Sequence, residues 1–176
     1  AVGRYSLYSS TTAAVNTAVG YNALFASTTA TGNVSVGAYA GDAITTGSNN
    51  VVLGYQALTS ATTAGSNVAI GYNALTSSNA GNNVAVGAYA LEDATTGTQN
   101  VAVGRNAALQ LTTGNYNTAV GPYAMQNSTT GSSNTAIGYA AQSGGITTDF
   151  VNVELWHTSA IVGTSSTDGS KKFETT

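Results

Sequence analysis

Apolar and polar positions along residues 1–142 recur on a fixed, short period. The stretch Asn67-Val68-Ala69-Ile70-Gly71-Tyr72-Asn73-Ala74-Leu75 is one unit, and variants of it appear nine times. With its glycine as the marker, the equivalents are Gly3, Gly20, Gly37, Gly54, Gly71, Gly87, Gly104, Gly121 and Gly138. Successive markers are 17 residues apart except Gly71 and Gly87, which are 16 apart. A period this short and regular predicts a solenoid, in which each repeat is a structural unit that cannot bury its apolar face alone.

The columns of the repeat carry the physics. Four residues before the marker stands Asn16, Asn33, Asn50, Asn67, Asn83, Asn100, Asn117 and Asn134. Three before it is Val or Thr, and two before it is Ala, except for Ser35 and Val52. One before it is Val, Ile or Leu, three after it is Ala (Ser6 in the first repeat), and four after it is mostly Leu. A β-branched, small, β-branched run such as Val68-Ala69-Ile70 favours a short strand. Alternation places Val68 and Ile70 on one face and Ala69 on the other. The larger face is expected to look into the coil, with Leu75 entering from the second side, in a core of two or three large side chains per layer. The Ala column is then an outward stripe open to a neighbouring chain. Thr-Thr-Gly segments, as at Thr45-Thr46-Gly47 and Thr95-Thr96-Gly97, read as turns, and the one-residue deletion before Gly87 falls in one.

Coils stacked about 4.8 Å apart set each side chain over its equivalent. Like charges so placed repel, which accounts for a chain only 6% charged, with a net charge of −3. Asn can donate to one neighbour and accept from the next, forming a ladder. The Gly column implies positive φ or a close backbone approach. The predicted fold is therefore all-β: a parallel β-solenoid (β-roll) of about nine coils, a rod on the order of 40 Å long. Strict periodicity and 42% hydrophobic residues argue against low-complexity disorder.

Four basic residues in an acidic chain leave no footprint for nucleic acid. No apolar run is long enough to insert in a membrane, and cysteine is absent. The chain starts at Ala1, inside a repeat and without Met, which suggests a fragment or processed product.

Asn16-Thr17-Ala18-Val19-Gly20 and Asn134-Thr135-Ala136-Ile137-Gly138 resemble the head repeats of trimeric autotransporter adhesins, and still more the repeats of bacteriophage tail fibres. The resemblance covers residues 1–142. It implies a left-handed parallel β-roll with three chains packed around one axis, although the 17-residue coil here is longer than in the adhesin heads. It carries over no functional site, because the motif residues are structural.

Residues 143–176 break the period and form a second, β-rich unit, a cap or connector to a further domain. Gly144-Gly145 marks the junction, and Phe150-Val151-Asn152-Val153-Glu154-Leu155-Trp156 alternates like a strand, with Phe150 first inward and Ala160-Ile161-Val162 as its partner. Asp168-Gly169 signals a turn before Lys171-Lys172-Phe173. Val153-Glu154-Leu155 and the run from Asp168 to Thr176 are similar to a phrase of marine phage tail fibres.

Candidate binding residues are the tyrosines beside the marker. Tyr21, Tyr55, Tyr72 and Tyr139 follow it directly, and Tyr5, Tyr39, Tyr89 and Tyr123 lie one further on. Arg4 and Arg105 take the first of these positions in their repeats. Adjacent positions project differently, so two rows are expected, each able to stack on sugar rings or meet a protein receptor, or else to pack at the corner.

For glycan hydrolysis the array offers Asp42, Glu92 and Asp93, the last two neighbours in sequence, whereas the reaction needs two facing carboxylates. His157 with Ser159 and Asp149 or Asp168 lacks the strained-nucleophile context of a triad. No Asp recurs in register to hold a metal, and no cofactor is implied. Ice binding needs a regular Thr-x-Thr column, and only Thr29/Thr31 and Thr96/Thr98 have that spacing.

These features favour a non-enzymatic fibre segment over an enzyme. The expectation is a homotrimeric rod in a viral tail fibre, located in the virion and mediating host attachment to a cell-surface glycan or protein. The alternative is a bacterial surface adhesin or extracellular filament subunit of the same architecture, with an ice-binding solenoid or a glycan-hydrolysing tailspike further behind.

Overall fold

A computed structural model describes residues 1–144 and 153–155. Each repeat after the first contributes one three-residue strand ending just before its marker glycine: β1 Thr17–Val19, β2 Val34–Val36, β3 Val51–Leu53, β4 Val68–Ile70, β5 Val84–Val86, β6 Val101–Val103, β7 Thr118–Val120 and β8 Thr135–Ile137. A further strand, β9, spans Val153–Leu155. All nine form one parallel sheet in sequence order. Val2 makes a single parallel bridge to Val19, which sets the first repeat on the same stack. The fold is thus an all-β parallel solenoid, and its coils are numbered 1 to 9 below by their marker glycines.

The register follows the sequence columns. Val51 pairs with Val68 and Val52 with Ala69, a step of 17, whereas Val68 pairs with Val84, a step of 16. The short step is absorbed in the turn. In an ordinary coil the N–H groups of Thr45, Thr46 and Gly47 converge on the Thr62 carbonyl of the next coil. Across the deletion, Asn79 Oδ1 takes the place of that carbonyl and accepts from the N–H of Thr62 at 3.0 Å and of Thr63 at 3.1 Å. β9, from the segment after residue 142, pairs with β8 through Thr135 and Val153. In that register Glu154 stands opposite Ala136. The expected partner segment Ala160-Ile161-Val162 lies outside the described residues, as does Phe150.

One expectation is reversed. Ala69 is fully buried, and Val68 and Ile70 face outward, partly exposed; the same inversion holds in every strand from β1 to β8. The reason is width. The wall facing the strand is another column of small residues (Ala23, Ala40, Ala57, Ala74, Ala90, Ala107, Ala124 and Ala141), also buried. Between two walls this close there is room for one large side chain per coil, not the two or three expected. That side chain is Leu24, Leu58, Leu75, Leu91 or Met125, four residues after the glycine. Where this position is Gly41 or Ala108, the large group moves three residues on, to Ile44 or Leu111. A Cβ added at Gly41 would lie 2.9 Å from Ile44 Cδ1, so the two positions share one space. Only Val52 adds a second buried branched side chain, from the strand itself.

Asn and Gly act as their columns imply. From Asn16 to Asn117, the Oδ1 of each Asn accepts the backbone N–H of the next Asn up the stack, as from Asn83 to Asn67 at 2.9 Å and from Asn50 to Asn33 at 2.8 Å. The Nδ2 of Asn67 donates to the Ala80 carbonyl at 3.0 Å, tying strand to turn. Side chain to side chain links join the ladder at some steps, such as Asn117 Nδ2 to Asn100 Oδ1 at 3.0 Å. Gly71 has φ of 137°, and a Cβ there would lie 2.5 Å from the Gly87 carbonyl oxygen.

Gly71→Ala should therefore lower stability by more than about 3 kcal/mol, since it combines a conformation closed to side chains with a backbone clash. The thermal midpoint should fall by roughly 6–12 °C, measured by circular dichroism at 218 nm.

Candidate functional site

The tyrosines make one file, not two rows. Where the residue after the glycine is Tyr21, Tyr55 or Tyr72, the next is an amide: Asn22, Gln56 or Asn73. Where the first is Ala38, Ala88 or Pro122, the ring moves one place on, to Tyr39, Tyr89 or Tyr123. The two placements converge on one line along the stack. Ring centroids are 6.0 Å apart for Tyr5–Tyr21, 5.4 Å for Tyr21–Tyr39, 6.0 Å for Tyr39–Tyr55, 5.6 Å for Tyr55–Tyr72 and 5.2 Å for Tyr72–Tyr89. The line is unbroken from coil 1 to coil 6. In coil 7 the place is taken by Arg105, whose guanidinium lies 5.9 Å from the Tyr123 ring, and Tyr123–Tyr139 continue at 5.7 Å.

Backbone geometry explains the alternation. The second position has positive φ in every coil, for example 56° at Asn22, 60° at Tyr39 and 52° at Asn73. Asn tolerates this conformation best among residues with a side chain. A Tyr there is held by its neighbours: Tyr39 meets Tyr21 and Tyr55 edge to face, at 74° and 83°. Rings in the first position stand higher, with Tyr21, Tyr55, Tyr72 and Tyr139 all at least 40% exposed, whereas Tyr39, Tyr89 and Tyr123 are half-buried between them. At the N-terminal end the file widens. Tyr8 stacks on Phe25 at 5.4 Å, Tyr5 meets both edge-on, and Arg4 lies over Tyr5.

The carboxylates flank this file. Asp42 is in coil 3 and Glu92 in coil 6, each three residues after the ring of its coil, Tyr39 or Tyr89. Glu92 Oε1 accepts from Asn73 Nδ2 at 3.2 Å. Burial raises the pKa of Asp42 above its ordinary value, against the opposing pull of backbone hydrogen bonds from Ala43 and from its own amide. Three coil steps separate Asp42 from Glu92, or roughly 14 Å along the axis. A glycosidase pair stands at most about 9.5 Å apart.

No group of three or more metal-binding side chains occurs among the described residues. Asp149, His157, Ser159 and Asp168 lie outside them. No helix among them is long and apolar enough to cross a membrane. The turn side carries a single Thr column: Thr12, Thr29, Thr46, Thr63, Thr96, Thr113 and Thr130 are exposed in successive coils, interrupted at Asn79. It is a single file beside a column whose hydroxyls are already used between coils, as Thr45 Oγ1 to the Thr62 carbonyl at 3.0 Å.

Comparison with protein-family models, curated proteins and solved structures finds no match to the chain.

Two outcomes are expected. Tyr72→Ala removes ring contacts on both sides and should cost about 1–3 kcal/mol, roughly twice the cost of Tyr139→Ala, which loses one contact; thermal melts of the two variants decide this. Asp42 is harder to ionise folded than unfolded, so stability should fall as pH rises from its ordinary range through its raised pKa. Asp42→Asn should remove that part of the slope in melts run between pH 3 and pH 7.

Proposed function

We infer that this chain is a structural segment of an extracellular or virion fibre of the tail-fibre or adhesin type: a stiff rod that assembles with copies of itself and holds or presents contacts for host attachment. The observation that carries this is the outer face of the sheet. Two columns of outward residues run its length, Thr17, Val34, Val51, Val68, Val84, Val101, Thr118 and Thr135 in one and Val19, Val36, Leu53, Ile70, Val86, Val103, Val120 and Ile137 in the other. None carries a charge, and Val19, Val34, Val36, Leu53, Val103 and Ile137 are each more than a third exposed. A continuous apolar face of this kind marks an interaction surface.

The occupant that suits it best is another copy of the chain. Both faces would then have the same ~4.8 Å pitch, so that the branched side chains of one can settle between the coils of the other. Sixteen partly open side chains offer on the order of 600–800 Å² per chain, the scale of a standard interface. A core with one large side chain per coil is thin, and association would thicken it. Three chains about one axis is the arrangement that the resemblance to the adhesin heads suggests. The position inferred for the Ala column in such an interface passes to the Val, Ile and Leu columns. A structural rather than hydrolytic role is supported by the separation of Asp42 and Glu92 along the axis.

Sedimentation equilibrium at tens of micromolar should give three times the chain mass of 17.5 kDa. Val51→Lys with Val84→Lys should yield monomers whose β-type circular dichroism is kept. A wild-type chain that sediments as a stable monomer would sink the assembly.

A further inference from the structure

The middle of the ring file differs from the rest of it. Tyr55 and Tyr72 occupy adjacent coils, and both rings directly follow the glycine. They lie within 8° of parallel and keep 45% and 46% of their surface exposed. Tyr39 and Tyr89 close the two ends edge-on, at 83° and 71° to their neighbours. Beside the central rings stand two amides, Gln56 and Asn73. The Asn73 Oδ1 is buried without a hydrogen-bond partner, as are the equivalent oxygens of Asn22 and Asn106, and its Nδ2 donates to Glu92. All three carboxylates of the array sit at the ends of this platform: Asp42 in the coil of Tyr39, and Glu92 with Asp93 in the coil of Tyr89. Both arginines of the array, Arg4 and Arg105, lie outside it.

We propose that this four-ring platform binds an unbranched carbohydrate chain, neutral or amino-bearing, laid along the solenoid axis. Three groups of residues supply what such a chain needs. The tyrosines offer apolar ring surface, with a hydroxyl each, against the C–H faces of pyranose rings. Gln56 offers an amide that can both donate and accept, matching sugar hydroxyls. The carboxylates choose the charge: a uronic-acid or sulfated chain, or a nucleic acid, meets like charge at both ends, whereas a neutral or amino sugar does not. Four coils in line span roughly 14 Å, so a short run of consecutive sugars is in contact at once, and weak individual contacts add along the chain. The rings of Tyr39 and Tyr89 serve as supports that hold Tyr55 and Tyr72 upright, which spares part of the ordering cost on binding. The platform is built from columns other than those of the sheet face, so it does not depend on self-association, and different substitutions test the two.

The test is titration calorimetry of the full chain with linear β-linked hexasaccharides of glucose, N-acetylglucosamine, glucosamine and galacturonic acid. At least one of the first three should bind with Kd at or below about 1 mM, and the galacturonate should bind more weakly than that one. Tyr55→Ala with Tyr72→Ala should weaken the binding tenfold or more, while Tyr139→Ala leaves it unchanged. Circular dichroism checks that the variants fold. Should the double alanine variant not fold, Gln56→Gly is the second arm. Its φ of 53° suits glycine, and loss of the amide should weaken binding threefold or more. The proposal is overturned if none of the three neutral or amino chains binds, if the galacturonate binds best, or if folded variants bind as wild type does.

Discussion

Everything in this solenoid depends on how closely one coil sits on the next, and the marker glycines are where that approach is tightest. From Gly3 to Gly121, a Cβ at each marker would lie 2.3–2.6 Å from the carbonyl group of the next marker, with φ between 129° and 141°. Backbone stacks on backbone at this corner, with no side chain between. The β-ladder spacing then extends around the whole coil rather than the strand alone. Leu58 N–H reaches the Ala74 carbonyl, Gln56 N–H the Ala38 carbonyl and Ser60 N–H the Thr76 carbonyl, so the turns are hydrogen-bonded from coil to coil as the strands are. These bonds offset the conformational cost of columns that stand at positive φ without being glycine, Leu24, Leu58, Leu75 and Leu91 among them.

Close stacking also rations space. Inside, one large side chain per coil is admitted, at either of two positions: Leu75 with Ser78, but Gly41 with Ile44, and Ala108 with Leu111. Outside, one ring in every coil but the seventh is placed at either of two positions: Tyr72 with Asn73, but Ala88 with Tyr89. Neither rule belongs to a single column. Each belongs to a pair of columns that look into one volume. For this reason the exceptions at Gly41 and Ala108 look like defects in a column-by-column view and like compensation in three dimensions.

The period, strand positions, turn segments, Asn ladder and Gly corner were legible in the sequence because each is a property of one column repeated. Two things were not. Alternation in Val68-Ala69-Ile70 separates two faces but does not say which one is interior. The usual preference for large residues inside fails because Leu75 and its equivalents, beside the Ala74 column, already fill the interior, and only at Val52 does the strand add a branched side chain to it. Likewise, tyrosines at two adjacent positions suggested two rows, because the sequence does not carry the convergence of side chains from a positive-φ residue and its predecessor onto one line. The corner expected to need Gly was found because the constraint there is steric and absolute. The faces were inverted because the constraint there is a matter of volume between two walls, which no single column reports.

In a repeat array, whatever recurs serves the stack, and only departures from recurrence are free to serve something else. Carboxylates are such a departure. Placed over one another they would repel, and the array keeps them three coils apart, in coils 3 and 6. Asp42 is held where burial opposes its ionisation, a small cost to stability that the stack does not require. Glu92 is tied to Asn73, in a coil whose ring is among the exposed ones. In coils 3 and 6 the ring sits at the inner position, as it also does in coils 1 and 8, and stands edge-on to Tyr55 or Tyr72. Charge, ring placement and ring orientation thus coincide at both ends of this four-coil stretch. Packing alone accounts for the rings, which every coil but the seventh carries. It does not account for acidic groups at the ends of the one stretch where two exposed rings lie parallel; the proposed carbohydrate, chosen by both stacking and charge, would.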